Sequence, residues 1–397
     1  MEQRSDEYAS RRETVWGLLV WAAVFVIFFA GGFAAHRISV RRAAEAATRP
    51  MGVFWEAWDI VEQNFYGEVP SARVRTYGAI RGFLALLDDP YTVFLEPQPG
   101  EVERDRLAGA YGGIGVDLWR DAENRVVLSP YAGSPAEAAG VRNGDFLLAV
   151  DSRPVVTATI EEIQARLHGE VGTQVLLTLS RPPTPTLPFT LTVVRQQIQV
   201  PSVSYRLLDR DPTIGYLAIT SFTERTPQEV EEALRALLGD GASRLIIDLR
   251  NNGGGLIQPA VDVCDQFLDR GVILYEVRKD HRERAFRAHR GGLASDLPLV
   301  ILVNGSTASA SEMMAGSLRV HGRAVLVGEP TYGKGSVQLI FTLSDGSSLH
   351  VTNAVWLLPD RQPLPETGLT PDIPVAPGGG LEDVQLDRAV RYLQEGE

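Results

Sequence analysis

The chain has 397 residues, 44% of them hydrophobic and 22% charged, which leaves room for two or three folded domains. A formal net charge of -12 excludes a general nucleic-acid binder, which needs a basic face. The single cysteine, Cys264, excludes an intrachain disulfide.

From Thr14 to Ala35 the run TVWGLLVWAAVFVIFFAGGFAA carries no charge. About 20 apolar residues cross a bilayer core. Residues 15–36 are therefore expected to form a membrane anchor behind a tail of residues 1–14. The rival is a cleaved signal peptide, but the run is long for one and no convincing small-x-small site precedes His36. Arg4, Arg11 and Arg12 precede the span, and Arg37, Arg41, Arg42 and Arg49 follow it. That count weakly favours a cytoplasmic body.

Residues 50–107 read as an N-terminal helical region. Phe54, Trp58, Val61 and Phe65 fall at helical spacing, as do Tyr77, Ile80, Phe83, Leu84 and Leu87. The stretch DDPYTVFLEP breaks the second pattern. From Tyr111 the texture changes to short strands with glycine punctuation: YGGIGVDLW, NRVVLSP, VRNGDFLLAVDSRPV, QVLLTLSR and FTLTVVR. A short helix is expected in SPAEAAG, and an amphipathic one in TIEEIQARLHG. Leu147, Ala149 and Ile163 are expected core residues of this segment, residues 108–198.

Over residues 199–397 strands and helices alternate. IGYLAIT, RLIIDLR, PLVILVN and AVLVGEP read as strands. PQEVEEALRALLG, QPAVDVCDQFLD, ASEMMAGSLRVHG and LEDVQLDRAVRYLQ read as helices. Repeated βα units with near-continuous apolar strands imply an α/β layer fold. Sites in such sheets form at the C-terminal strand ends. NNGGG and NGSTASAS sit at two of them. The charged stretch RKDHRERAFRAHR is expected to be a loop.

Three segments carry possible chemistry. In LIIDLRNNGGGL the glycines Gly253 to Gly255 lie between a strand and a helix, where backbone N–H groups meet an anion closely. The same residues read equally as a flexible turn. In VGEPTYGKGSVQ a phosphate loop is nearly spelled out, but Gly335 stands where Ser or Thr must hold Mg²⁺, and a strand follows. Nucleotide binding is excluded, which leaves Lys334 between two glycines. A lysine there is of interest only if burial brings its pKa toward neutrality. VNGSTASASEMMAGSL holds Ser306, Ser309, Ser311 and Ser317, and a serine nucleophile needs an adjacent base. No histidine lies in the segment, His321 follows about three helical turns on, and His281 and His289 lie in the charged stretch.

YGGIGV, GSPAEAAGVRNGD, IIDLRNNGGGL, NGSTASASE and GEPTYGKGSVQ occur in the order found in the carboxyl-terminal processing (tail-specific) proteases, and the chain resembles that family over residues 50–395. The resemblance implies a crotonase-like (ClpP/crotonase-type) α/β protease core with an inserted PDZ domain and an N-terminal helical unit. It implies Ser309 as nucleophile and Lys334, 25 residues on, as general base, completed by Gln338. The N–H of Ala310 and glycines of NNGGG, Gly255 with Gly254 beside it, correspond to oxyanion donors. PDZ domains take a peptide tail by strand addition, its carboxylate in a glycine-rich loop. Gly112, Gly113, Ile114 and Gly115 resemble that loop. His168, in LHGEVGT, stands where the family commonly has an arginine linked to gating. Neither metal nor cofactor is expected. Expected partners are unfolded or tail-exposing proteins, the membrane through residues 15–36, and a second copy through the N-terminal helices. The resemblance also implies a single-pass protein of the cytoplasmic membrane with an extracytoplasmic body, against the arginine count. Two other classes compete: a PDZ adaptor with an inactive protease core, and a crotonase-type acyl-CoA enzyme.

Overall fold

The computed structural model describes residues 51–182, 187–379 and 382–396. The expected anchor over residues 15–36 lies outside them. No helix among the described residues is long and apolar enough to cross a membrane.

The chain divides into two units, residues 1–78 and 79–397. In the first, residues 51–64 form α1 and α2 (Ala72–Ala85) begins. Phe54, Trp55 and Trp58 cluster with ring centroids 5.1 to 5.9 Å apart. The Arg75 guanidinium lies 4.5 Å from the Trp58 centroid and pairs with Glu62 at 3.2 Å. Trp55, Ile60 and Phe65 stay exposed.

In the second unit β1 (Val93–Leu95) leads to α3 (Pro97–Ala108). Periodicity hides α3 because five of its twelve residues are charged and few are apolar. Its ends are legible: Pro97 at the start, and Gly109 at φ 69° closing a left-handed cap. β2 (Ala110–Gly113) then enters the expected PDZ segment. There follow β3 (Val116–Arg120), β4 (Val126–Pro130), α4 (Pro135–Ala138), β5 (Asp145–Val150), β6 (Arg153–Pro154), α5 (Ile160–Leu167), β7 (Gln174–Ser180) and β8 (Phe189–Val194). The sheet runs β3-β4-β5-β7-β8, with β6 on β5. Leu147 and Ile163 are buried in its core with Leu128, Leu177 and Leu179. α5 starts at a capping box in which Thr159 and Glu162 satisfy each other's backbone N–H. The chain leaves by β9 (Gln196–Gln199), antiparallel to β2, so the entering and leaving strands form one ribbon.

The remaining elements are β10 (Val203–Leu208), β11 (Asp211–Ile219), α6 (Thr226–Gly239), β12 (Arg244–Asp248), α7 (Ile257–Asp265), β13 (Val272–Arg278), β14 (Glu283–Arg287), β15 (Leu299–Val303), α8 (Ala310–Val320), β16 (Val325–Gly328), β17 (Ser336–Thr342), β18 (Ser348–Leu357), β19 (Ile373–Pro374) and α9 (Val384–Glu395). One sheet runs β10-β11-β12-β15-β16-β19 and is parallel from β11 onward. Its central strands are apolar throughout in β15, and in β12 between Arg244 and Asp248, because both faces are covered. Leu245, Ile247 and Ile301 pack in the core shared with α6, α7 and α8. Ile246, Val300 and Leu302 face α9 through Ala389, Val390 and Leu393. Arg250 fastens α9, donating to Asp248, Asp383 and Gln385.

A second sheet runs β1-β18-β13-β14, with β17 also on β18. It corrects one expectation. The charged stretch from Arg278 to Arg290 is not simply a loop, because Glu283 to Arg287 folds back as β14 against β13. Only Phe286 within that strand is buried, too little apolar signal to read as alternation.

Candidate functional site

The ends of β12 and β15 build one scaffold. After β12 comes the loop Asn251 to Gly255, and after β15 the loop Asn304 to Ser309. Asn251 and Asn304 bond each other through side chain and backbone at 3.0 Å. Thr307 donates its hydroxyl to the Leu249 carbonyl at 2.8 Å. Asn252, wholly buried, is the central brace. Its amide donates to the Ile219 carbonyl, and its own carbonyl accepts from the Ala308 N–H and the Ser311 hydroxyl, both at 3.0 Å. Ser311 is thereby a structural hydroxyl. Ser306 stays in the loop, its N–H bonded to Asn304.

Ser309 occupies the N-cap of α8 with φ 56° and ψ -117°. A positive φ at a residue with a Cβ stores about 1–3 kcal/mol of strain and persists only where surroundings enforce it. The enforcing group is Glu312, one turn into α8 and fully buried. Its Oε2 accepts from the N–H of Ser309 and of Lys334, each at 2.9 Å. Its Oε1 accepts from the Thr331 hydroxyl at 2.5 Å and the Gly333 N–H at 2.7 Å. One carboxylate therefore ties the serine loop to the lysine loop. Sequence reasoning missed it, although Ser309-x-x-Glu312 is a capping-box spacing. Glu312→Ala leaves these donors without their acceptor, and loss of at least about 3 kcal/mol is expected. Urea unfolding measures it; an unchanged midpoint would mean that water replaces the carboxylate fully.

Lys334 is half-buried. Its Nζ donates to Gln338 Oε1 at 2.9 Å and lies 4.8 Å from the centroid of the Tyr91 ring. Gln338 in turn donates to the Tyr91 carbonyl. Tyr91 comes from the DDPYTVFLEP break, where Asp89 accepts from the Tyr91 N–H and the Thr92 hydroxyl. Burial lowers the Lys334 pKa from its ordinary value, while the carboxylates of Asp89 and Glu103 pull the other way.

Ser309, Lys334 and Gln338 line one cavity of about 320 Å³, together with Gly253, Gly255 and His350. A serine at a helix mouth, a desolvated amine and a glycine loop are the components of base-assisted acyl transfer. Gly254 departs from its expected part. Its N–H already donates to Asn252 Oδ1 at 2.9 Å, so it is not available to an oxyanion. Its glycine is required instead by close approach at φ 100°, where a Cβ would lie 2.9 Å from that of Ser309. Gly255 lines the cavity with Ser309, and Ala310 is the first residue of α8. His321 bonds the Val272 carbonyl, and His289 bonds Asp265, away from this cavity.

A second cavity, of about 190 Å³, is the groove between β3 and α5, lined by Ile114, Gly115, Leu118, Tyr131, Leu167 and His168 among others. Tyr111 also borders it, and its ring stacks on His168 with centroids 4.2 Å apart. Gly112 and Gly113 differ from expectation. They belong to the β2–β9 ribbon, and the Gly112 carbonyl accepts from the Gly169 N–H at 3.0 Å.

The family model for peptidase family S41 matches residues 213–375, and that for the PDZ domain matches residues 126–181. The carboxyl-terminal-processing protease of a Picosynechococcus species is 37% identical over 348 residues, which cover 85% of this chain and 84% of the relative. The carboxy-terminal processing protease CtpA of Bacillus subtilis is 32% identical over 319 residues, 80% of this chain and 67% of the relative. Among solved structures, the photosystem II D1 C-terminal processing protease is 32% identical, with 80% of this chain and 86% of that one covered and a TM-score of 0.47.

Proposed function

The chain belongs to peptidase family S41 and is a serine protease of the carboxyl-terminal-processing kind with a PDZ domain, and on that premise we propose that it is an endopeptidase whose nucleophile is Ser309 and whose general base is Lys334. The observation that carries this reading is the shared cavity, in which the Lys334 amine is both desolvated and held by Gln338. Neutral Lys334 takes the proton of the Ser309 hydroxyl as Oγ attacks the scissile carbonyl. The Ala310 and Gly255 N–H groups receive the oxyanion. Collapse expels the leaving amine, which takes from Lys334 the proton that came from Ser309. Neutral Lys334 then takes a proton from water as the water oxygen attacks the ester carbonyl, and Ser309 Oγ leaves and recovers that proton from Lys334.

In this reading the core is crotonase-like, and tails of unfolded proteins enter the groove beside Ile114 and His168. Residues 15–36 anchor the protein in the cytoplasmic membrane with the body outside, which a reporter enzyme fused to the C-terminus tests. The exposed Trp55, Ile60 and Phe65 supply a face for a second copy. Incubation with an unfolded protein is expected to yield fragments with new C-termini, read by mass spectrometry. Binding without fragments would make the chain an adaptor instead.

Tail recognition has its own expected result. Peptides with a free, apolar C-terminal residue bind the full chain bearing Ser309→Ala about tenfold or more tighter than their amidated forms, as loss of a bonded carboxylate requires. Calorimetry gives both affinities, and equal values would remove the groove from recognition.

A further inference from the structure

Two polar atoms beside the Ser309 cavity have no partner. Among the described residues, His350 Nε2 and Ser336 Oγ are buried without a hydrogen bond. Both residues line the cavity. His350 is 8% exposed and lies in β18 between Val93 of β1 and Ile340 of β17. Ser336 opens the neighbouring strand, β17. An unpaired buried polar atom costs about 1–3 kcal/mol, so folded chains keep few of them.

The charged groups lining the cavity are committed elsewhere. Glu103 accepts from Arg106, Glu276 accepts from Arg278, Lys334 donates to Gln338, and Arg284 lies over the Phe286 ring. The imidazole and the hydroxyl are left to meet what enters the cavity. A cationic substrate residue would meet Arg106, Arg284 and Lys334, and the lining carboxylates that could answer it, Glu103 and Glu276, are already paired with Arg106 and Arg278. A carboxylate would stabilise Lys334 as ammonium, the wrong state for a base. An apolar residue beside His350 would leave its imidazole nitrogen unpaired after water is displaced. An uncharged hydrogen-bonding side chain suits all three constraints.

We propose that His350 selects a substrate residue carrying a hydroxyl or carboxamide next to the scissile bond. The inference rests on the reading of Ser309 as nucleophile, and it adds a specificity residue to it. Discrimination comes from the penalty on the apolar competitor, because a site built to bond a polar group rejects the isostere that lacks it.

The test uses peptides that differ only by Thr or Val at each position flanking the cleaved bond. At one position the wild-type chain is expected to cleave the Thr peptide with kcat/KM about tenfold or more above the Val peptide. His350→Leu brings that ratio close to one, mainly through KM, and raises turnover of the Val peptide. His350→Gln restores part of the preference. An equal ratio at every position in the wild type overturns the proposal, and so does a preference unchanged in His350→Leu. Equal loss of both peptides in His350→Leu assigns the imidazole a structural part and also overturns it. Cleavage that persists in Ser309→Ala is a different failure, which removes the proposed nucleophile.

Discussion

Ser309→Ala is expected to lower kcat/KM by about 10⁴-fold or more while the chain still folds and still binds a tail. The substitution removes only Oγ. The bond that fixes the loop is made by the Ser309 N–H to Glu312, and it survives. The brace through Asn252, from Ala308 and Ser311, survives as well. Unfolding by urea should therefore shift by no more than the roughly 1 kcal/mol of a lost cap. The companion variant is Ser311→Ala. Its hydroxyl bonds the Asn252 carbonyl inside the scaffold, so it should lose about 1 kcal/mol of stability and keep turnover within about tenfold. Both variants are assayed on one peptide at one pH. Turnover retained without Ser309 and lost without Ser311 would mean that the serine assignment is wrong.

The groups that chemistry needs were legible where motif and backbone role coincide. NNGGG and NGSTASAS sit at strand ends of a parallel sheet, as the βα alternation implied, and Ser309 does open a helix. Buried strands such as Leu299–Val303 announced themselves by apolar residues at every position. What stayed hidden is long-range. The lysine's sequence neighbours, Thr331 to Leu343, contain no acid. The carboxylates that act on it, Asp89 and Glu103, come from the break before β1 and from α3, more than 200 residues earlier. Tyr91 reaches Gln338 across the same separation. Neither periodicity nor a local motif encodes such pairings. The second sheet was partly missed for a related reason: β14 is a strand by pairing with β13, not by its own apolar pattern. Gly254 shows a subtler limit, since the glycine run was visible but not which N–H the Asn252 side chain would consume.

Those hidden carboxylates shape the second large effect. Lys334→Arg is expected to lower kcat/KM by about 10³-fold, since an arginine keeps the positive charge but cannot give up its proton to become a base. A free lysine has a pKa of about 10.4 and is almost wholly charged at neutral pH. In the folded chain burial disfavours the ammonium and lowers that value, with Asp89 and Glu103 limiting the descent. The base form is the deprotonated one, so kcat/KM should rise with pH through the depressed lysine pKa and level off above it. Glu103 and Asp89 work against the neutral amine, so Glu103→Gln should move the midpoint to lower pH. His350 acts in the opposite sense: when protonated it repels the Lys334 ammonium, while burial lowers its own pKa and so disfavours that charged form. The measurement is the pH–rate profile of wild type, Glu103→Gln and Lys334→Arg on a peptide substrate. Appreciable turnover by the arginine variant, or a profile in Glu103→Gln shifted to higher pH, would place the proton on another group. The Gln338 carbonyl gives the neutral amine its orientation, because an amine that donates one N–H to that oxygen turns its lone pair elsewhere. Base strength and direction would then both be set by groups outside the glycine-lysine-glycine motif: burial lowers the pKa, Asp89 and Glu103 limit that descent, and the Tyr91–Gln338 link aims the lone pair.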